Sequence, residues 1–417
     1  MKASKVIYGR RRLLFSFFYF GEEVKVVDFK KFFRLQLFRY IKSKFLFLIF
    51  VILFFLQFGG WFITYLDTDY NRQLVFKENK LIELRSKFES AKKRNLKEVD
   101  ITYYEKEIKN LESEIKELEL IKKYLGKKEF IQTKIQELKN NINLYKNNND
   151  LKQTNQLAVE LLYYERLLKE KIYKPKNFIA IENVWISNTM GFRWMDVFFG
   201  FIIVALCIAT LFGDDLKKGY IKMLFPNYRI KREKLYIYNI IYEAIIFLLI
   251  FTISVIVFSA LIYVLFKRKF DIKMPYFTIY GLQTWGNSVI VSPEKTTFDS
   301  CLIGFLKLFV VYSLITVMLI TLYKMLYTIL ANDYFVLGVV IFLKMVNSIL
   351  PKLGIERKYL LINPITYTDG WGIVTKSLSL DYNVLIGNSL IYIMIIVCYT
   401  LVFIIIGLII FRKKNFY

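Results

Sequence analysis

Histidine is absent from the 417 residues, cysteine occurs three times and proline six times. Without histidine there is no imidazole general base and no histidine-ligated metal. Cys207, Cys301 and Cys398 are odd in number and far apart. They form neither a disulfide framework nor a metal-ligand spacing. Acidic residues are few, 35 against 60 Lys and Arg, and the apolar runs lack the mid-membrane carboxylates expected of a proton-coupled carrier. A phosphate-cradling G-x-x-x-x-G-K-[ST] loop is also missing. The nearest candidate, Gly213 to Gly219, has the wrong spacing and is followed by Tyr220. The chain therefore reads as a non-enzyme that binds no cofactor of its own.

What is abundant is apolar surface: 55% hydrophobic and 18% aromatic residues. A bilayer core about 30 Å thick needs roughly 20 apolar residues per helix. Six runs meet that need, at 45–66, 194–212, 236–266, 302–326, 334–350 and 386–411, the fifth being the shortest. The expected fold is an all-α membrane protein of six transmembrane helices. Its long antiparallel coiled-coil hairpin lies between helices 1 and 2.

The formal charge of +25 is placed asymmetrically. Residues 1–44 carry twelve Lys/Arg against three acids, 213–235 carry seven against three, and Arg412, Lys413 and Lys414 close the chain without an acid. These are alternate connections, so the positive-inside rule makes them cytoplasmic and the hairpin extracellular. The same distribution favours a bilayer with anionic head groups as the partner, and excludes nucleic acid. The first apolar run begins too late and is too long for a signal peptide, so it reads as an anchor.

Four regions follow. Residues 1–44 are a cytoplasmic basic segment in which Phe29, Phe32, Phe33, Leu35, Leu37 and Tyr40 make an interfacial amphipathic helix. Residues 45–66 are the first span. Residues 67–193 are the extracellular part, and 194–417 hold the other five spans with the loop 213–235 and a short tail. In the extracellular part, Ile101, Tyr104, Ile108, Leu111, Ile115, Leu118 and Leu125 form one heptad seam. Ile131, Ile135, Leu138, Ile142, Tyr145, Leu157, Leu161, Tyr164, Leu168 and Ile172 form the returning one. Gly126 suits the hairpin tip, and Asn147 to Asp150 mark a kink or an alternative tip. Arms of about 45–50 residues would project roughly 65–80 Å. Pairs such as Glu112–Lys116 and Glu119–Lys123 suit its solvated faces.

The connections 267–301 and 351–385, rich in turn residues, predict short re-entrant or interfacial helices, with Trp285 and Trp371 in the aromatic belt. Lys307 and Lys324 lie near span ends and are expected to snorkel. Glu243 is expected to pair with a loop lysine. Lys344, near the middle of the fifth span, is the candidate for a pathway or a subunit seam.

The loop 213–235 carries the most specific pattern. Asp214 and Asp215 are placed near a helix start. Ile221, Met223, Leu224 and Phe225 supply an apolar knob too small to be a core, and Pro226 ends the short helix. This loop resembles the first cytoplasmic loop of type-2 ABC exporter permeases. Asp215 stands at the acidic position, Gly219 at the glycine and Tyr220 to Phe225 at the short helix. Pro226 and Arg229 match the proline and basic residue, and Lys234 the lysine entering the next span. Asp replaces the more usual Glu, Tyr228 stands where a small residue is usual, and the coiled coil has no counterpart in most such permeases. The resemblance covers roughly 28–66 and 194–417.

It implies a coupling helix (Asp215, Gly219, Tyr220, Ile221, Met223, Leu224, Phe225, Pro226, Arg229, Lys234) seated in a separate ABC ATPase subunit that holds ATP and Mg. It further implies a second permease copy, as homo- or heterodimer, in a bacterial cell membrane. The substrate class it implies is hydrophobic or amphiphilic. The Lys/Asn/Ile-rich composition and the long extracellular arm fit a bacterium with an accessible cell wall, with an antimicrobial or toxin peptide as first expectation and an extracellular or cell-wall partner for the coiled coil. The alternatives are a membrane-anchored coiled-coil scaffold or envelope sensor, and a secondary transporter.

Overall fold

The structure, a computed structural model, describes residues 33–34, 36–38, 45–67, 70–93, 98–124, 126–174, 182–197, 200–217 and 232–413. Five of its helices are long and apolar enough to cross a membrane, and six if one bent pair counts as a single span. In chain order the first is α1 (Phe45–Asp67). The bent pair is α6 (Val184–Val197) and α7 (Gly200–Lys217), which meet at 74°. The others are α8 (Arg232–Phe266), α9 (Cys301–Leu330), α10 (Asp333–Ile349) and α13 (Ser389–Lys413). Helix α6 begins ten residues before the apolar run at 194–212.

Central α9 packs against α6, α7, α8, α10 and α13. Its Tyr312 stacks on Phe201 at 4.3 Å and its Phe309 on Phe251 at 4.9 Å. Such large offset-stacked aromatics bury much surface per contact and set helix spacing. Asn332 caps α10 by accepting from the Tyr334 N–H, and Ala331 turns through a left-handed backbone (φ 54°), so two residues reverse the chain.

Helices α1, α6 and α8 are joined by a buried polar knot. Gln57 Nε2 donates to Asn188 Oδ1 at 2.7 Å, Asn188 Nδ2 donates to Ser259 Oγ at 2.9 Å, and Ser254 Oγ donates to Gln57 Oε1 at 3.3 Å. Away from water an amide must find its partners within the protein, so such a knot fixes rotation as well as proximity. One turn further on, a Cβ at Gly60 would sit 2.3 Å from Trp194 Cβ, so only glycine admits the crossing. Trp194 Nε1 donates to Thr64 Oγ1 at 2.9 Å across it.

Between α1 and α6 rise α2 (Tyr70–Lys93), α3 (Glu98–Tyr124), α4 (Lys128–Asn147) and α5 (Leu151–Lys169). A single hairpin with arms of 45–50 residues does not form. Instead α2 packs on α3 and α4 on α5, since each pair is separated by a short break and local closure costs less chain entropy. Gly126 (φ 81°) is not a distal tip: its N–H reaches the Tyr173 carbonyl at 3.0 Å, at the foot of the assembly. The expected seams are real as burial, with Leu111, Ile115, Leu118, Ile131, Ile135, Leu138 and Ile142 all enclosed. Glu112 bonds across to Arg85 at 2.6 Å, and Lys77 to Glu114 at 2.5 Å, so these charges clip α2 to α3.

The all-α expectation needs correction at 267–301, where an antiparallel pair forms instead of interfacial helices. Strands β1 (Pro275–Trp285) and β2 (Ser288–Ser300) turn at Gly286 (φ 55°), the positive φ a two-residue hairpin turn requires. Residues 275–279 of β1 are all buried, because β1 packs on α9 and on α11 (Gly370–Thr375), while β2 packs on α5. Asn155 Nδ2 donates to the Val291 carbonyl and Arg166 to that of Phe298, which ties α5 to β2. Over 351–385 the expected short helices are present: 3-10 turns at Leu350–Leu353, Arg357–Ile362 and Pro364–Thr368, then α11 and α12 (Ser377–Asp381).

Candidate functional site

Two polar loci interrupt the apolar bundle. The first lies where α8 leaves the loop 213–235. Asp215 falls in the last turn of α7, and the start of the short helix expected after it lies outside the described residues. Gly219, Tyr220, Ile221, Met223, Leu224, Phe225, Pro226 and Arg229 lie outside the described residues. Lys234 stands exposed in the first turn of α8.

Three turns into α8, Glu243 Oε1 meets Lys324 Nζ of α9 at 2.9 Å, with the side chains 2% and 0% exposed. Lys324 therefore does not snorkel, and Glu243 pairs with a neighbouring helix rather than with a loop. Burying one such charge alone is prohibitive, whereas the pair in contact neutralises itself. Around it, Tyr236 fits against Gly407 of α13, and Tyr242 meets Phe33 edge-on at 5.2 Å. The Tyr323 hydroxyl bonds Asp333, and Arg412 approaches Glu233 at 3.4 Å. The expected amphipathic segment thus puts at least Phe33 onto the bundle. By contrast Lys307, half exposed, bonds Asp299 at 2.5 Å beyond the helix start, as a snorkelling lysine does.

The second locus centres on Lys344. It is half-buried on α10 and donates to Thr368 Oγ1 at 3.1 Å. The 3-10 segment after α10 folds back onto the same face: Asn363 Nδ2 donates to the Leu343 carbonyl at 2.6 Å and to Asn347 Oδ1 at 2.9 Å. That return brings Asp369 in, where its Oδ1 caps α11 by accepting from the Gly372 N–H at 2.8 Å. Burial pushes the Asp369 carboxyl above its usual range, opposed by the Gly372 N–H and the Lys344 ammonium. From α6, Asp196 is close enough to act on Asp369 and Lys344, and Arg193 lies over Trp371 at 5.3 Å.

Two carboxylates and two cations thus lie within electrostatic reach of one another beside the α6–α7 bend. Sequence reasoning passes over Asp196, because the apolar run begins only at 194 whereas the helix begins at 184. Asp369 stood in a loop. The legible signal was Asp369-Gly-Trp-Gly, a cap pattern on a helix too short for periodicity. Among the described residues no group of three or more Cys, Asp or Glu could hold a metal ion.

Residues 177–417 match the family model described as protein of unknown function (DUF2705), which is more than half of the chain. The match takes in α6 to α13 with both polar loci and leaves out α1 to α5. No curated protein and no solved structure matches the chain.

Proposed function

The chain belongs to the DUF2705 family, and we propose that it is the membrane permease subunit of an ATP-driven exporter. It would work as one half of a homo- or heterodimeric permease. ATP and Mg would be held by a separate ATPase subunit. The loop 213–235 would dock there through the short helix of Tyr220 to Phe225, and the cargo would be hydrophobic or amphiphilic, such as an antimicrobial or toxin peptide.

The observation that carries this reading is the buried Glu243–Lys324 pair. It joins the helix leaving that loop to the central helix α9. A push on the loop is then handed to the core of the bundle, as a coupling element requires. Replacing 219–225 with a Gly/Ser linker tests it. Co-purification with an ATPase should be lost, or the ATPase turnover of the complex should fall at least tenfold. Unchanged complex formation and turnover would refute the assignment.

A second reading, an ion-coupled carrier, is favoured by the Asp196–Asp369–Lys344 group alone. Under it, collapsing the proton gradient with an ionophore at constant ATP would stop transport. Under the exporter reading transport continues.

A further inference from the structure

Helix α12, which walls a cleft of about 480 Å³ against α5 and the β1–β2 pair, is reached from α10 by a detour into the bundle. After the 3-10 turn Leu350–Leu353 the chain reverses at Gly354, whose φ of 85° is a left-handed backbone that glycine adopts without strain. It then runs back along α10. Asn363 Nδ2 donates to the Leu343 carbonyl at 2.6 Å and to Asn347 at 2.9 Å, and Lys344 reaches Thr368 at 3.1 Å. From the other side the Tyr399 hydroxyl of α13 donates to the Ile362 carbonyl at 2.6 Å. Leu343 lies about 15 Å from the start of α10, and Tyr399 about 15 Å from the start of α13. Gly407 of α13 sits against Met325, near the end of α9 from which α10 sets out, so α10 and α13 run in opposite directions. Against a bilayer core about 30 Å thick, Ile362 then lies near its middle.

The polar backbone of this segment is satisfied from within the protein. The Leu360 carbonyl accepts from Thr366 Oγ1 at 2.6 Å, that of Leu361 from the Tyr367 hydroxyl at 2.8 Å, and that of Ile362 from Tyr399. Carbonyls at a wet surface can take water instead, whereas non-helical backbone at membrane depth persists only where its polar groups find partners. Side chains divide accordingly. Leu360, Ile365, Thr366, Tyr367 and Thr368 are buried, while Tyr359 and Ile362 are 58% and 78% exposed. Lys352, Glu356, Arg357 and Lys358 are exposed and precede Tyr359, and no charged residue follows before Asp369. Charge ahead of an uncharged run suits a chain that enters hydrocarbon through the head groups.

We propose that residues 359–368 are a re-entrant segment whose exposed side chains, Tyr359 and Ile362, lie against the acyl chains of the bilayer, clipped at that depth by Asn363 and Tyr399. The segment leads directly into Asp369, the cap of α11, so the clips also fix where that carboxylate stands. The inference rests on α10 and α13 being spans and on nothing about cargo or an ATPase. It stands or falls apart from the exporter reading.

The test uses full-length protein in nanodiscs carrying a nitroxide on one cysteine, the other native cysteines being replaced by serine. Three such proteins are compared: Ile362→Cys, Glu356→Cys, and one that keeps the exposed native Cys398 beside Tyr399 as a depth reference. The label at 362 should collide with oxygen and hardly with a water-soluble nickel chelate, as the label at Cys398 does, and the label at 356 should show the reverse. Asn363→Ala with Tyr399→Phe should raise nickel access at 362 at least threefold while Cys398 keeps its depth, which loss of the fold would not allow. Nickel access at 362 equal to that at 356 would mean a water-filled mouth and overturn the proposal. Low access to both reagents at 362 would mean a protein partner, such as a second copy of the chain, and overturn it equally. So would an unchanged depth at 362 once both clips are removed.

Discussion

Glu243 and Lys324 show how a lone charge misleads when its partner is far away in sequence. Each in isolation suggests an interface residue, because exposure is the cheap solution for a single charge. In contact at 2.9 Å and fully enclosed, they are instead a cross-link between α8 and α9. Removing one partner leaves the other buried and uncompensated, a cost of about 3–5 kcal/mol. Removing both need cost little. Thermal unfolding in detergent should therefore show Glu243→Gln and Lys324→Met each strongly destabilised, and the double variant close to native. Additive losses would mean that the pair is not a unit. Trp194 and Gly60 make the same point through shape: the absent Cβ is what admits the indole.

At the level of elements, helices were legible wherever a period of 3.6 or a long apolar run repeats within one segment. The seams of α3 and α4 and the five long spans were therefore visible before any contact was known. Which helix lies beside which was not. The same seam residues satisfy one long hairpin or two short ones. The choice falls to chain closure and to charges such as Arg85 and Glu112 that meet only across α2 and α3. Cysteines at Lys77 and Glu114 should be joined by a short bifunctional maleimide, as their 2.5 Å contact demands. Without that product the α2–α3 pairing is wrong. Strand β1 was hidden for a related reason. Enclosed by other elements over most of its length, it lacks the apolar–polar alternation that marks a half-buried strand. Only Gly286-Asn287 between two β-prone runs announced it.

Across the whole molecule, the two polar loci and the cleft stand at successive heights. The Glu243–Lys324 pair lies toward the end where α8 begins, the Lys344 group beside the α6–α7 bend, and the cleft beyond the end where α9 begins. That order makes orientation testable. The basic connections predict that a cysteine at Asn149, between α4 and α5, reacts with a membrane-impermeant maleimide in intact cells. A cysteine at Lys234 should react only after permeabilisation. The reverse pattern would invert the topology and move the cleft to the cytoplasmic side.

Composition and periodicity, which act within single segments, settled by themselves that the chain is rich in membrane-length helices. They also settled that a charged helical part follows the first helix, and that histidine chemistry and an internal phosphate loop are absent. Only the tertiary structure decided that Asp196 and Asp369 come within electrostatic reach of Lys344, that Lys324 is paired, that α2 turns back on α3, and that a strand pair walls a cleft against α5. Local pattern reports the free energy of placing a residue in water or away from it. Whether a charge can remain away from water depends on a partner that only the folded chain brings within 3 Å.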